Sequence, residues 1–485
     1  MGGPERPVVP MDPGIILSSW RMARKTITAC GALDRQWAKI IVGPVKQLTE
    51  LFTRPGFRSA AASFGWLAVE RAGRLVLGAL VGLFVARHLG PVRLGSLSYC
   101  IALVTLLGFV PALGLDQVLR RELLQAPTKT AELLASCLVL RLAAGVLAYA
   151  GVWLAAAAGW GFAGEELGLF RILGLILFQP ALFLPELWLQ AQLQARQTTL
   201  VQLGALGVSS GLRVWLVYRD APIMAFAWVI VGEMLLCALG YMLGARGYGV
   251  SFSLGAARRA TMRRLLAEAW PLMFASLAIL VYMKIDEVML RLLAGPAAVG
   301  VYAAAVKLSE IWYFLPTALA TSLLPALLRS RAQDAAAYAA RQQQYYDVSA
   351  AAAYVLSIPI ALAAPWIVRL AYGGAFAAAG PILAVHIWAS IFVFLGVARG
   401  QWLVNEGLQK FYLAATLAGA VVNVLLNLVL IPRWGGLGAA WATVASYALA
   451  AWLASYLHAA VRPTAAMQTR ALLIPFRGWS YLRSR

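Results

Sequence analysis

The sequence predicts an all-α polytopic membrane protein, with about twelve transmembrane helices in two pseudo-symmetric six-helix bundles. Three observations carry this. Hydrophobic residues fill 61% of the 485 positions and charged ones only 13%. Apolar runs of the roughly 20 residues needed to cross a hydrocarbon core of about 30 Å recur from about residue 60 to residue 458. A Gly-Pro-x-x-x-Gly pattern stands at Gly90, Pro91 and Gly95 and again at Gly295, Pro296 and Gly300. Each copy falls between the first two spans of one half, as a duplication predicts, although two ordinary Gly/Pro turns would read the same way.

Apolar runs between polar or Gly/Pro breaks place spans near 65–88, 94–115, 132–158, 167–190, 198–218 and 222–243. A basic connection over 246–268 follows, with Arg246, Arg258, Arg259, Arg263 and Arg264. Six more spans lie near 270–292, 297–325, 347–371, 381–403, 411–432 and 436–458. The lobes are therefore expected over 59–245 and 269–458, between basic tails over 1–58 and 459–485. No stretch outside the spans is long enough for a second domain. The first tail has no compact apolar core followed by a cleavage site and does not read as a signal peptide. Two readings of it stay open: a basic amphipathic helix lying on anionic lipid over 15–52, or a disordered cytosolic tail.

Orientation follows from Lys and Arg in the connections. With the N-terminus inside, the inner connections hold Arg120, Arg121, Lys129, Arg196, the five arginines of the 246–268 connection, Arg329, Arg331, Arg341 and Lys410. The outer ones hold only Arg87, Arg93, Arg171, Arg219, Arg291 and Arg433. Both tails are basic as well, so both termini are expected in the cytoplasm.

The net charge of +21 raises the question of nucleic acid. The basic residues are spread over short connections and termini and form no single basic face, so membrane topology accounts for them and nucleic acid is not expected. Cys100, Cys137 and Cys237 lie inside apolar spans and read as packing residues. His88, His386 and His458 are far apart and match no metal-ligand spacing. No glycine run has Walker spacing, so no nucleotide, metal or other cofactor is expected, nor any catalytic residue.

Charges inside a span are costly, and depth sorts them. Arg71, Glu186 and Arg213 fall close enough to predicted span ends to reach the interface, as do Arg369 and Arg399. Arg74, Arg141, Lys284, Lys307, Glu233, Asp286 and Glu310 sit deeper and need a partner or a wet cavity. Pairing between helices is the plainer alternative for each, and Lys307 and Glu310, three residues apart, can neutralise one another.

Four segments resemble a known family: VARHLGPVRLGSLSY and LGLDQVLRREL in the first half, KIDEVMLRLLAGPAAVGVYAAAVKLSEIWYFLP opening the second, and NVLLNLVLIPRWGGLGAAWATVASYAL near the end. Together they resemble the oligosaccharide flippases, the O-antigen and exopolysaccharide exporters of the multidrug/oligosaccharidyl-lipid/polysaccharide exporter superfamily. The resemblance implies a MATE-like fold whose central cavity opens alternately to either side. It implies transport, not enzymatic catalysis: an undecaprenyl-diphosphate-linked oligosaccharide carried across a bacterial inner membrane for surface polysaccharide synthesis. Membrane lipids, a polysaccharide polymerase and other assembly proteins are the partners it implies. Lipid II flippases and cation-coupled drug antiporters share the superfamily. A membrane polymerase or ligase is the alternative of another class, disfavoured by short outer connections.

For such a cargo, Arg74, Arg141, Lys284 and Lys307 are the expected contacts of the diphosphate. Spans seven and eight run antiparallel about Gly295, placing Lys284 about 12 Å and Lys307 about 15 Å below their outer ends. Two ammonium groups at one depth call for water, an acid or an anionic ligand. Glu233, Asp286 and Glu310 are left for ion coupling or charge pairing. Asp286 points about 200° away from Lys284, which shares a helix face with Glu287 and Arg291.

Overall fold

In the computed structural model the described residues are 55–159, 162, 164–248, 254–331 and 334–475. The expected amphipathic stretch over 15–52 therefore lies outside them. From Leu67 onward the described residues form one compact unit, and both lobes belong to it.

All regular structure among the described residues is helical. The first lobe contains α1 (Pro55–Leu107), α2 (Phe109–Ala112), α3 (Leu115–Gln125), α4 (Thr130–Ala157), α5 (Glu166–Leu173), α6 (Gln179–Leu182), α7 (Leu184–Ala191), α8 (Ala195–Tyr218) and α9 (Ile223–Gly247). The second contains α10 (Arg259–Ala294), α11 (Pro296–Glu310), α12 (Phe314–Arg331), α13 (Ala335–Tyr372), α14 (Ala379–His386), α15 (Ala389–Asn405), α16 (Gln409–Ala451) and α17 (Arg462–Leu472).

Eleven helical segments among the described residues are long and apolar enough to cross a membrane, and the first of them, Leu77–Gln125, is broken at Gly90. Arg74 reaches Gln202, seven residues into α8, and Glu122 reaches Arg264, five residues into α10. Both arms of this segment thus run from Gly90 toward one face, which gives twelve passes. We call the face holding Gly90 and Gly295 the turn face and the opposite one the tail face.

Gly90 has φ 68 and ψ 176, and Gly295 has φ 86 and ψ 174. This left-handed, extended conformation is open to glycine and strained for any side chain. The following proline starts a new helix at no cost, because the first amide of a helix has no partner within it. The two turns share one backbone geometry, as lobes related by pseudo-symmetry require.

Several spans depart from unbroken rods. The expected span over 167–190 is divided into α5, a 3-10 turn at Gly174–Phe178, α6 and α7, where Pro180 and Pro185 each remove an amide hydrogen bond. The expected span over 297–325 breaks after Glu310. Conversely, α10 extends ten residues into the connection expected over 246–268. There Arg264 meets Glu122 at 2.8 Å and Arg121 meets Glu268 at 2.7 Å. Within the C-terminal tail, α17 docks on the second lobe through Gln468, which donates to the Ala451 carbonyl at 3.0 Å.

Apolar side chains such as Leu147, Leu154, Val355 and Leu362 face outward, 71% to 81% exposed. Fully buried polar residues, among them Asn423, Asn427 and Ser446, pack inside the second lobe. That inversion of a soluble core is expected where the solvent is hydrocarbon, because polar groups must then find partners inside the bundle.

Candidate functional site

A cavity of about 570 Å³ lies between the lobes, lined by Arg74, Gln179, Gln202, Arg213, Glu233 and Tyr241 from the first and by Lys307, Glu310 and Ile311 from the second. Gln202 and Tyr241 sit in the tail-side halves of α8 and α9, so the cavity lies toward the tail face from the Gly90 and Gly295 turns.

Each charge in it has a distinct state. Glu233 accepts from Arg213 at 2.7 Å and from Ser209 at 2.7 Å, so this acid is paired within its own lobe. Arg74 donates to Gln202 at 3.1 Å, and Gln202 in turn donates to Glu186 at 3.0 Å. Lys307 is open to the cavity, with no carboxylate within ion-pair distance among the described residues. Its electrostatic neighbours, Arg213 and Lys284, are both cations. The pair with Glu310 allowed by the three-residue spacing does not form, although both side chains line the cavity.

The structure brings Arg74, Lys307, Glu233 and Glu310 together and places the other sequence candidates elsewhere. Arg141 is 1% exposed and turned into the first lobe, where it bonds Asp116 and the Pro180 carbonyl, the latter at 2.8 Å. It ties α4 to α3 and α6 and does not line the cavity. Lys284 donates to Glu287 at 3.0 Å on its own helix. Asp286, 4% exposed, accepts from Tyr302 at 2.7 Å, Thr443 at 2.6 Å and Asn427 at 2.5 Å. Those donors come from α11 and from α16 on either side of its break at Gly435, so Asp286 knits the second lobe on the side away from Lys284, as the helical wheel predicts.

Arg213, set aside by depth, is the cavity cation that sequence reasoning missed. It occupies the α8–α9 hairpin with Glu233, and a base and an acid on consecutive antiparallel helices are a signal for such a pair.

The sequence matches the family model described as "Polysaccharide biosynthesis protein" over residues 61–331, more than half of the chain. The chain belongs to this family. A curated relative, the "Probable flippase AglR" of Haloferax volcanii, is 30% identical over 185 residues, covering 36% of this chain and 37% of the relative. The match thus spans about a third of that protein. Among solved structures, an inward-facing multidrug resistance MATE family transporter of the MOP superfamily superposes with TM-score 0.65 at 15% identity, over 84% of this chain and 99% of the other. "Lipid II flippase MurJ, inward closed conformation" superposes with TM-score 0.65 at 12% identity, over 87% and 93%. These likenesses show a fold shared over 84% to 87% of this chain.

Proposed function

We propose that the protein flips an undecaprenyl-diphosphate-linked oligosaccharide from the cytoplasmic to the periplasmic leaflet of a bacterial inner membrane, by alternating access, for cell-surface polysaccharide synthesis. The observation that carries this reading is Lys307, a cavity ammonium with no carboxylate within ion-pair distance among the described residues, flanked by Arg213 and backed by Arg74 across the lobes. An uncompensated cation in a semi-enclosed site favours an anionic ligand. The diphosphate supplies that anion, the polyprenyl chain can stay in lipid, and the sugars need a polar passage. Family membership and the relative named as a probable flippase support the same reading.

In this orientation the tail face is cytoplasmic. Four of the outward arginines are engaged by protein groups: Arg87 by backbone carbonyls, Arg291 by Glu166, and Arg171 and Arg219 by Trp153 and Trp215. The inner connections hold more Lys and Arg than the outer ones, which supports this orientation. A cationic drug is a poor match for Lys307, whereas lipid II would present the same diphosphate. Glu310, a cavity acid with no base within ion-pair distance among the described residues, is the group we assign to ion coupling. Assembly partners such as a polymerase belong to the same reading.

Native mass spectrometry of the purified protein with undecaprenyl diphosphate and with uncharged undecaprenol tests the site. Retention of the diphosphate alone, weakened in Lys307→Gln, is expected. Equal retention of both lipids would overturn the assignment.

A further inference from the structure

At the turn face the lobes meet through their two duplicated motifs. A Cβ added to Gly95 would collide with the Pro296 carbonyl and the Gly300 amide, and one added to Gly300 with the Pro91 carbonyl and the Gly95 amide. Backbone therefore packs on backbone, and the reciprocity, Gly95 on Pro296 and Gly300 on Pro91, is that of a two-fold axis. Only glycine permits this approach at either position.

Beside this contact lies a part-buried ion pair between the lobes. Arg291, four residues before Gly295 on α10, donates Nε and Nη2 to Glu166 at 2.8 and 2.7 Å. Glu166 opens α5 in the first lobe and is 2% exposed. Ser96, next to Gly95, donates to the same carboxylate at 2.9 Å, and the Tyr99 ring lies 5.7 Å from the guanidinium. A third tie joins Arg87 of α1 to the Ala371 carbonyl at 2.8 Å, at the C-terminal end of α13 in the second lobe.

This construction suits a contact that opens and closes. Leu97 of the first lobe and Met289, Leu290 and Val299 of the second share one hydrophobic cluster beside the turns, and parting it beside water is costly; the closest contacts, however, are backbone groups and charges that water can solvate once separated. While closed, the fork-on-fork geometry of Arg291 and Glu166 is strong and directional. Removing one partner leaves the other charge buried and unpaired, which favours the open arrangement.

We propose that the Glu166–Arg291 pair and the crossed Gly-Pro-x-x-x-Gly turns form a latch that shuts the turn face and parts whenever the cavity opens there. The latch rests on the alternating-access reading above, but its test uses no substrate. Spin labels are placed at Val92→Cys and Ala297→Cys, exposed positions just after Pro91 and Pro296, with Cys30→Ser in the background. Double electron–electron resonance then reads the distance between the lobes. The parent should give a predominantly short distance. Glu166→Gln should raise the ratio of long to short populations about tenfold, the scale expected for losing a charge-assisted bond. Gly300→Leu should do the same by wedging the turns, and the exchange Glu166→Arg with Arg291→Glu should restore much of the short population. Unchanged distances in well-folded Glu166→Gln and Gly300→Leu would overturn the latch. If the distances shift as expected while the parent moves no lipid-linked glycan, the latch holds and the transport reading fails.

Discussion

Lys307 of the second lobe lies against Gly82 of the first, so closely that a Cβ on Gly82 would stand 2.5 Å from its Nζ. The absence of a side chain on α1 is thus what lets the ammonium of α11 reach its place between the lobes. Gly82→Leu should displace Lys307 without altering any charge. Losing one charged contact to the ligand corresponds to about a tenfold fall in affinity for undecaprenyl diphosphate, which a binding titration would read. Gly82→Ala should fall less, because the tip of a lysine can move aside.

Arg141 should behave in the opposite way. Arg141→Gln removes the Asp116 pair and the Pro180 bond inside the first lobe, and Asp116 is 59% exposed, so water compensates part of the loss. We expect about 1–3 kcal/mol of destabilisation, seen as a lower melting temperature in detergent. The folded fraction should bind undecaprenyl diphosphate as well as the parent. A tenfold affinity loss at unchanged stability would return Arg141 to the cavity.

Asp286→Ala should be more damaging to folding than Asp286→Asn. Alanine strands the buried Tyr302, Thr443 and Asn427 donors at a cost on the order of 3–5 kcal/mol, whereas asparagine keeps an acceptor for some of them. Yield of monodisperse protein and thermal melting separate the two variants. Equal behaviour would mean that the hydrogen bonds to Asp286 contribute little to the second lobe.

Glu310→Gln tests the coupling assignment. In proteoliposomes with an imposed proton or sodium gradient, the parent should respond to one of the two. Glu310→Gln should transport at a rate insensitive to either. A variant with the parent's full response would remove Glu310 from coupling.

The helical architecture and its duplication were legible in the sequence because hydrophobic length and the Gly-Pro turns are local signals. Depth within a span was a weaker guide. It grouped Arg141 with Lys307, although Asp116, 25 residues earlier on another helix, neutralises the first and no acid among the described residues bonds the second. Depth also discounted Arg213, because distance from a span end says nothing about which way a side chain faces once the lobes are assembled. Likewise Arg291 read as an outer-connection charge, since its partner Glu166 lies 125 residues away in the other lobe. The breaks inside the fourth and eighth spans were masked by continuous hydrophobicity, although Pro180, Pro185 and Pro316 marked the neighbourhoods.

The most direct test of the account is transfer of a fluorescent undecaprenyl-diphosphate-linked oligosaccharide between leaflets of proteoliposomes, read by quenching from outside. The parent should move the lipid well above protein-free vesicles, and Lys307→Gln, present at equal amount and equally folded, should fall close to the protein-free rate. Transfer by Lys307→Gln at the parent's rate would contradict the claim that this ammonium receives the diphosphate.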